Sequence, residues 1–287
     1  MTLILVDASF NSFYRFFATM RWYSLSKKED FKKYKANPNY DWYENIEFME
    51  KYEKMYFESF ENLLTRKIVY NSTVIFCEDA PQETLWRHKL IKSKHLQDQY
   101  KGERPDLKSK YNFKNVFDYT YKKMIPNAKK EKPYPIHQLK LPETEADDII
   151  ASICIYMKKH NFNEEIIIVS GDDDFTQLGR ENVSILNYHK KKLIKFDNEE
   201  CEDKLRLKII NGDKSDNIPS IFPKSRKEVS LKTRKLVKES ISAMNEFFEN
   251  NPEIKSKFKL NEKLIDFNKI PKKIQTPVIK KFKKIEI

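Results

Sequence analysis

IIIVSGDDDFTQLG spans Ile166 to Gly179. Its four leading apolar residues, uninterrupted by polar ones, read as a strand covered on both faces, as in a parallel sheet. Ser170 and Gly171 end the run, and three consecutive aspartates follow. Adjacent like charges repel, so either water screens them on a loop or a cation holds them. The chain as a whole carries a formal net charge of +12, so this local excess of negative charge needs a reason.

The pattern recurs. TLILVD (Thr2 to Asp7) and STVIFCED (Ser72 to Asp79) are further apolar runs ending in acid. NVSILNY (Asn182 to Tyr188) is a fourth strand, and KKLIKF (Lys191 to Phe196) pairs with it through a turn at Tyr188–Lys191. Helical patterns separate them. Glu44 to Leu64 places Ile46, Met49, Tyr52, Tyr56, Phe60, Leu63 and Leu64 at three- and four-residue steps. Glu143 to His160 opens on Thr144-x-x-Asp147, a capping-box-like start, and continues with Ile149, Ile150, Ile153 and Met157. Strands alternating with helices define an α/β class: a central, mostly parallel sheet flanked by helices. Lys122 to Pro142 is rich in Pro and Lys and reads as a loop. The expected division is an α/β core over residues 1–200 and a helical, basic C-terminal region over 201–287.

The 287 residues suffice for one large domain or a domain with an appendage. Hydrophobic content of 39%, with 20 Phe and 15 Tyr, supplies a core. No apolar run approaches the ~20 residues of a membrane span. The start MTLILVD lacks the basic and long apolar regions of a secretory signal. Three scattered cysteines (Cys77, Cys154, Cys201) argue against a disulfide scaffold or a paired-cysteine zinc site and fit a reducing cytoplasm. The positive charge is uneven: residues 223–287 hold 18 Lys/Arg against 8 Asp/Glu. That region reads either as a surface for a polyanion, most simply nucleic acid, or as a lysine-rich solvated face. Only four glycines occur, and Gly171 and Gly212 each immediately precede an aspartate cluster. Glycine there permits unusual backbone conformations and close approach of another group.

Asp7, Asp79 and Asp172–Asp174 all follow predicted strands. In open α/β sheets ligands gather outside the carboxyl ends of the strands, so parallel neighbours would bring these acids to one edge. The helix start adds Glu145, Asp147 and Asp148, of which Glu145 and Asp148 share a face. Asp213 and Asp216 follow Gly212. Singly, each cluster has a plain alternative in helix-dipole or turn chemistry. Together they form an oxygen-only set suited to Mg²⁺ or Mn²⁺ and not to zinc. Two ions about 4 Å apart could use this many acids, clamping the attacking water and the leaving oxygen of a phosphodiester.

The blocks LILVDAS, VIFCED, ETEADDIIA, IIIVSGDDDFTQL and IINGDKSDNIPS, with the late LIDFNKIP, resemble the 5′-nuclease superfamily of flap endonucleases, 5′–3′ exonuclease domains and phage relatives. The ordered motifs cover most of the chain. The resemblance implies a two-metal phosphodiester hydrolase using two Mg²⁺, with Mn²⁺ able to substitute. Its substrates would be duplex DNA with a 5′ flap or nick and RNA–DNA hybrids, RNA primers included. It implies an inner ligand group of Asp7, Asp79, Glu145, Asp147, Asp172 and Asp174, and an outer one of Asp148, Asp213 and Asp216. Asp173, where relatives carry a non-acid, is expected to point to solvent. A basic arch is expected at about 83–140, with Arg87, Lys89, Lys92, Lys94 and Tyr100 on nucleic acid and Lys101 and Arg104 at the scissile phosphate. Relatives' glycine hairpin after GDxxDNIPG is absent. Lys224, Arg226, Lys227, Lys232 and Arg234 are expected to take over its grip on duplex. The expected protein is a monomer in the cytoplasm (a host's, if viral), off the membrane, with a single-strand-binding protein as a further partner. The rival expectations are an inactive structure-specific DNA-binding protein and a PIN-type ribonuclease.

Overall fold

The computed structural model, which describes residues 2–93, 100–102, 110–188, 190–195, 198–222 and 231–285, turns each apolar run into a strand. Five strands are parallel: β1 (Thr2–Asp7), β2 (Ser72–Glu78), β3 (Ile136–Lys140), β4 (Glu165–Val169) and β5 (Val183–Asn187). β6 (Lys192–Ile194) pairs antiparallel with β5 across the expected turn. The spatial order is β3-β2-β1-β4-β5-β6. Val6 lies level with Phe76 and with Val169, so β1, β2 and β4 end together and release their acids at one edge.

The chain then alternates helices with these strands. α1 (Ala8–Ser26), α2 (Lys28–Lys35), α3 (Ile46–Leu64) and α4 (Arg66–Tyr70) lie between β1 and β2. α5 (Trp86–Ser93), α6 (Lys114–Tyr119) and α7 (Ile125–Glu131) precede β3, and α8 (Ala146–Lys159) precedes β4. After β6 come α9 (Asn198–Asn211), α10 (Leu231–Glu239), α11 (Ile241–Asn250), α12 (Pro252–Ile265) and α13 (Lys272–Phe282).

Period-two alternation sends successive side chains to opposite faces. Ile4, Val6, Val74, Phe76, Ile167 and Val169 pack against the Phe and Tyr stripe of α1 and α3. Leu3, Leu5, Ile75, Cys77, Ile166 and Ile168 pack against Ile149, Ile150, Ile153 and Met157 of α8. Burial of each such side chain contributes about 1.5–3 kcal/mol, which is why uninterrupted apolar runs specify a sheet covered on both faces.

Three expectations change. Lys122 to Pro142 is not a loop: it holds all of α7 and the edge strand β3, whose five residues lie between Pro/Lys flanks that mask them in sequence. Phe113, Val116, Met124, Ile125 and Ala128 join the core, so much of the span assigned to a basic arch is interior. The break at residue 200 also shifts. Ile274, Val278 and Phe282 of α13 pack on the α8 face of the sheet, while Ile210, Ile221, Phe222, Val237, Met244 and Phe248 form a separate cluster.

Candidate active site

Asp7, Glu145 and Asp172 sit at helix starts, where free N–H groups and the positive dipole end favour a carboxylate. Asp7 ends β1 and caps α1 with no intervening loop, accepting the Phe10 N–H at 2.9 Å and the Ser170 hydroxyl at 3.0 Å. Asp79 accepts the Ala146 N–H at 2.7 Å, tying β2 to the start of α8. Glu145 caps α8, and its N–H donates to Asp148 Oδ2 at 2.9 Å. The capping pair is therefore Glu145/Asp148, one residue later than the expected Thr144/Asp147. Asp172 caps a 3-10 turn (Asp173–Leu178), accepting the Asp174 N–H at 2.8 Å. Gly171 crosses α1 so closely that an added Cβ would lie 2.5 Å from the Phe10 ring.

Asp7, Asp79, Glu145, Asp147, Asp172 and Asp173 line one cleft of about 580 Å³, and Lys101 and Lys208 reach into it. Its electrostatics are uneven. Burial, then Asp79, pushes Asp7 up to about 7. Burial, then Asp172 and Asp7, pushes Asp147 well above the usual carboxylate range. Burial and Asp172 push Asp174 up to about 6 against the pull of Lys208. Burial opposes ionisation of Glu145 too, but Lys101 and Arg87 outweigh it and hold that carboxyl at about 2. The middle of the cleft therefore lacks positive charge, and its rim has it.

Lys208 is the residue sequence reading missed. Its ammonium bridges Asp174 and Asp213, the latter at 2.7 Å. Nothing in the pattern of α9 distinguishes it from Lys204 or Arg206. Asp213 also accepts the N–H and hydroxyl of Ser215 at 2.8 and 2.7 Å. Lys101 is at the cleft, paired with Glu145. Its N–H donates to the Asp216 carbonyl at 3.0 Å, and the Tyr100 hydroxyl donates to the Asp216 carboxylate at 2.9 Å.

Four expected positions differ. Arg87 does not face nucleic acid: it is 3% exposed. Its Nη1 donates to Glu145 Oε2 and Asp148 Oδ1, each at 2.8 Å, and its Nε to the Leu264 carbonyl at 2.9 Å. Tyr100 is buried, its hydroxyl spent on acids, so its ring offers no open stacking face. Asp148 is fully buried, with Arg87 on one oxygen and Trp86 Nε1 at 2.9 Å on the other, so it serves Arg87 and not the cleft. Asp174 shares Lys208 with Asp213 and stands outside the main cleft. Asp173, expected to point to solvent, is exposed but also lines the cleft, and Lys92 is exposed. Lys89 pairs with Glu143 at 2.6 Å. Arg234 lies 5.1 Å from the centre of the Phe222 ring. Lys94, Arg104, Lys224, Arg226 and Lys227 lie outside the described residues, as does the Lys232 side chain.

The donors suit a hard divalent cation: oxygen only, and charge-deficient at their centre. Among the described residues no three of them meet at one chelating point as they stand.

This fold has counterparts among known proteins. Residues 2–206 match the family described as 5′-3′ exonuclease, N-terminal resolvase-like domain, and the chain belongs to it. A 5′-3′ exonuclease of Buchnera aphidicola (subsp. Acyrthosiphon pisum) is 29% identical over 208 residues, 70% of this chain and 61% of that protein. The Ribonuclease H of Enterobacteria phage T4 is 29% identical over 168 residues, 57% of this chain and 51% of its own. The chain thus aligns with only 61% and 51% of these relatives' lengths. In fold, the bacteriophage T5 protein co-crystallised with metal ions matches with a TM-score of 0.59 at 15% identity over 100% of both chains. The T5 flap endonuclease in a pseudo-enzyme–product complex with DNA and metal ions matches at 0.57 and 15% identity, over 99% and 98%. These two likenesses establish a common fold.

Proposed function

We propose that this chain is a magnesium-dependent 5′ nuclease that hydrolyses phosphodiesters at 5′ flaps, nicks or 5′ ends, RNA primers on DNA included. The observation that carries the reading is the cleft itself: acids from β1, β2, α8 and the 172–178 turn converge, with Lys101 and Lys208 reaching in. Family membership and the names of the relatives support it. Asp7, Asp79, Glu145, Asp147 and Asp172 would hold the tighter ion, and Asp174, Asp213 and Asp216 the second. When bound, such ions supply an activated water and neutralise charge on the leaving 3′ oxygen. Lys101, on the cleft wall, neutralises the scissile phosphate. Lys208, paired with Asp174 and Asp213, would supply positive charge for the phosphate beside them. The exposed Lys255, Lys259 and Lys263, at four-residue steps on α12, offer a positive face for duplex backbone. Three scattered, buried cysteines fit work in the cytoplasm, and no described helix is long and apolar enough to cross a membrane.

The test uses end-labelled flapped, nicked and primer-hybrid duplexes, with and without Mg²⁺. Short labelled products that need both a 5′ terminus and the ion are expected. Metal-independent cleavage, or products indifferent to the 5′ terminus, would sink the reading. So would full activity in Asp7→Asn.

A further inference from the structure

The acids come from separate pieces of chain, and a metal site tolerates misplacement of only about half an ångström. Something must hold the pieces in step. One short segment at the end of α12, Asn261 to Phe267, is bonded to three of them. Asn261 Nδ2 donates to the carbonyls of Ile209 at 3.0 Å and Pro219 at 2.8 Å, gripping both ends of the turn that carries Asp213 and Asp216. The Leu264 carbonyl accepts Arg87 Nε, whose Nη1 holds Glu145 and Asp148 at the start of α8. The Ile265 carbonyl accepts Gln177 Nε2 at 3.0 Å, and the Phe267 N–H donates to Gln177 Oε1 at 3.1 Å. That two-way bond fastens the turn bearing Asp174, preceded by Asp172. Phe175 of the same turn is fully buried and packs against Phe267. Asn261 is only 2% exposed, so water cannot readily replace its bonds.

Resting on the reading that these acids hold divalent ions, we propose that Asn261–Phe267 is a keystone fixing the relative placement of three acid-bearing elements. Gln177 and Asn261 are its positioning residues. Neither is hydrogen-bonded to a cleft carboxylate: Gln177 spends its amide on Ile265 and Phe267, and Asn261 on Ile209 and Pro219. Their loss therefore spreads the ligands apart while leaving every ligand and every exposed lysine in the chain. The defect falls on metal binding and turnover, and substrate capture is spared.

The test compares full-length wild type, Gln177→Met, Asn261→Leu and the double variant. Mn²⁺ binding is read from the electron paramagnetic resonance of the free ion, flap-duplex affinity is measured in EDTA, and kcat and KM are measured with Mg²⁺. Each single variant should lose about tenfold in Mn²⁺ affinity, the scale expected when an outer partner of a metal site is removed. kcat should fall with KM within about twofold, and EDTA-measured duplex affinity should hold. The double variant should lose less than the product of the singles, because both act through one segment. Folded single variants that bind Mn²⁺ as wild type does, or that raise KM with kcat unchanged, overturn the keystone. Should Gln177→Met not fold, Gln177→Glu retains the acceptor for the Phe267 N–H and gives the same comparison. Wild type that binds no Mn²⁺ and cleaves nothing overturns the nuclease reading itself, and the keystone's metal role with it.

Discussion

Replacing Arg87 by Met keeps an apolar stem and removes the guanidinium. Glu145 and Asp148, 3% and 0% exposed, then lose the cation between them, and the Leu264 carbonyl loses its donor. Breaking a buried ion pair from one side costs roughly 3–5 kcal/mol, because the remaining charge stays buried without compensation. For a chain of this size each kcal/mol moves Tm by about 2–4 °C, so a fall of roughly 6–20 °C is expected at pH 8. The pH dependence carries a definite sign. With Arg87 and Lys101 present, Glu145 is held below its ordinary value, so its contribution to stability is full above about pH 4.5 and fades as pH falls towards 2. Asp148 already sits above its ordinary value, because burial outweighs Arg87. Without Arg87 it rises further, and the folded variant takes up a proton that wild type does not. The deficit should therefore shrink between pH 8 and pH 5. Calorimetry of both proteins in EDTA at the two pH values measures it. A fall under about 2 °C at pH 8, or a deficit that widens in acid, would refute the reasoning.

The aspartates of the 172–178 turn should divide. Asp172→Ala and Asp174→Ala should lose at least about 100-fold in flap cleavage, and Asp173→Ala, exposed and outside any ion pair among the described residues, should stay within about threefold; equal losses from all three would refute the division. Gly212 has φ +76°, and an added Cβ would strike the Ile218–Pro219 backbone. Gly212→Ala should cost at least about 2 kcal/mol in denaturant unfolding, and a neutral result would contradict that geometry. Asp7, raised to about 7 in the metal-free protein, favours the protonated fold, a contribution present at low pH and lost as pH rises through 7. A divalent ion replaces that proton. Mn²⁺ at about 100 times its Kd should raise Tm by roughly 5–10 °C at pH 8 and clearly less at pH 5.5; an equal or larger shift in acid would contradict it.

The sheet was legible because burial on two faces leaves unbroken apolar runs, and those runs end in the acids of the cleft. β3 escaped because five edge residues between prolines carry too little pattern. The acids were legible as a set but not in their division of labour. Asp148 stands one residue from Asp147, yet a helical step of about 100° turns it towards Arg87 and Trp86 and away from the cleft. Arg87 looked like its basic neighbours on α5. Only the packing of α5 against α8 and the end of α12 makes it internal, and a pairing 177 residues away in sequence leaves no local trace. Lys208 escaped for the same reason. One lysine among several becomes special through where its helix lies.

The return of α13 to the sheet sets a timetable for synthesis. Chains emerge from the ribosome amino end first, at about 5–20 residues per second. All six strands and α8 have been made by Ile194, but Ile274, Val278 and Phe282, which pack against α8 and complete the core on that side, have not. For on the order of ten seconds the apolar side of α8 that α13 covers stays open. Over most of the same interval Gln177 and Arg87 wait for Ile265 and Leu264. A nascent copy is thus sticky before it is sharp: it offers apolar surface to chaperones while its acids remain unaligned. On the nuclease reading, cleavage waits until Asn261 to Phe267 have been made.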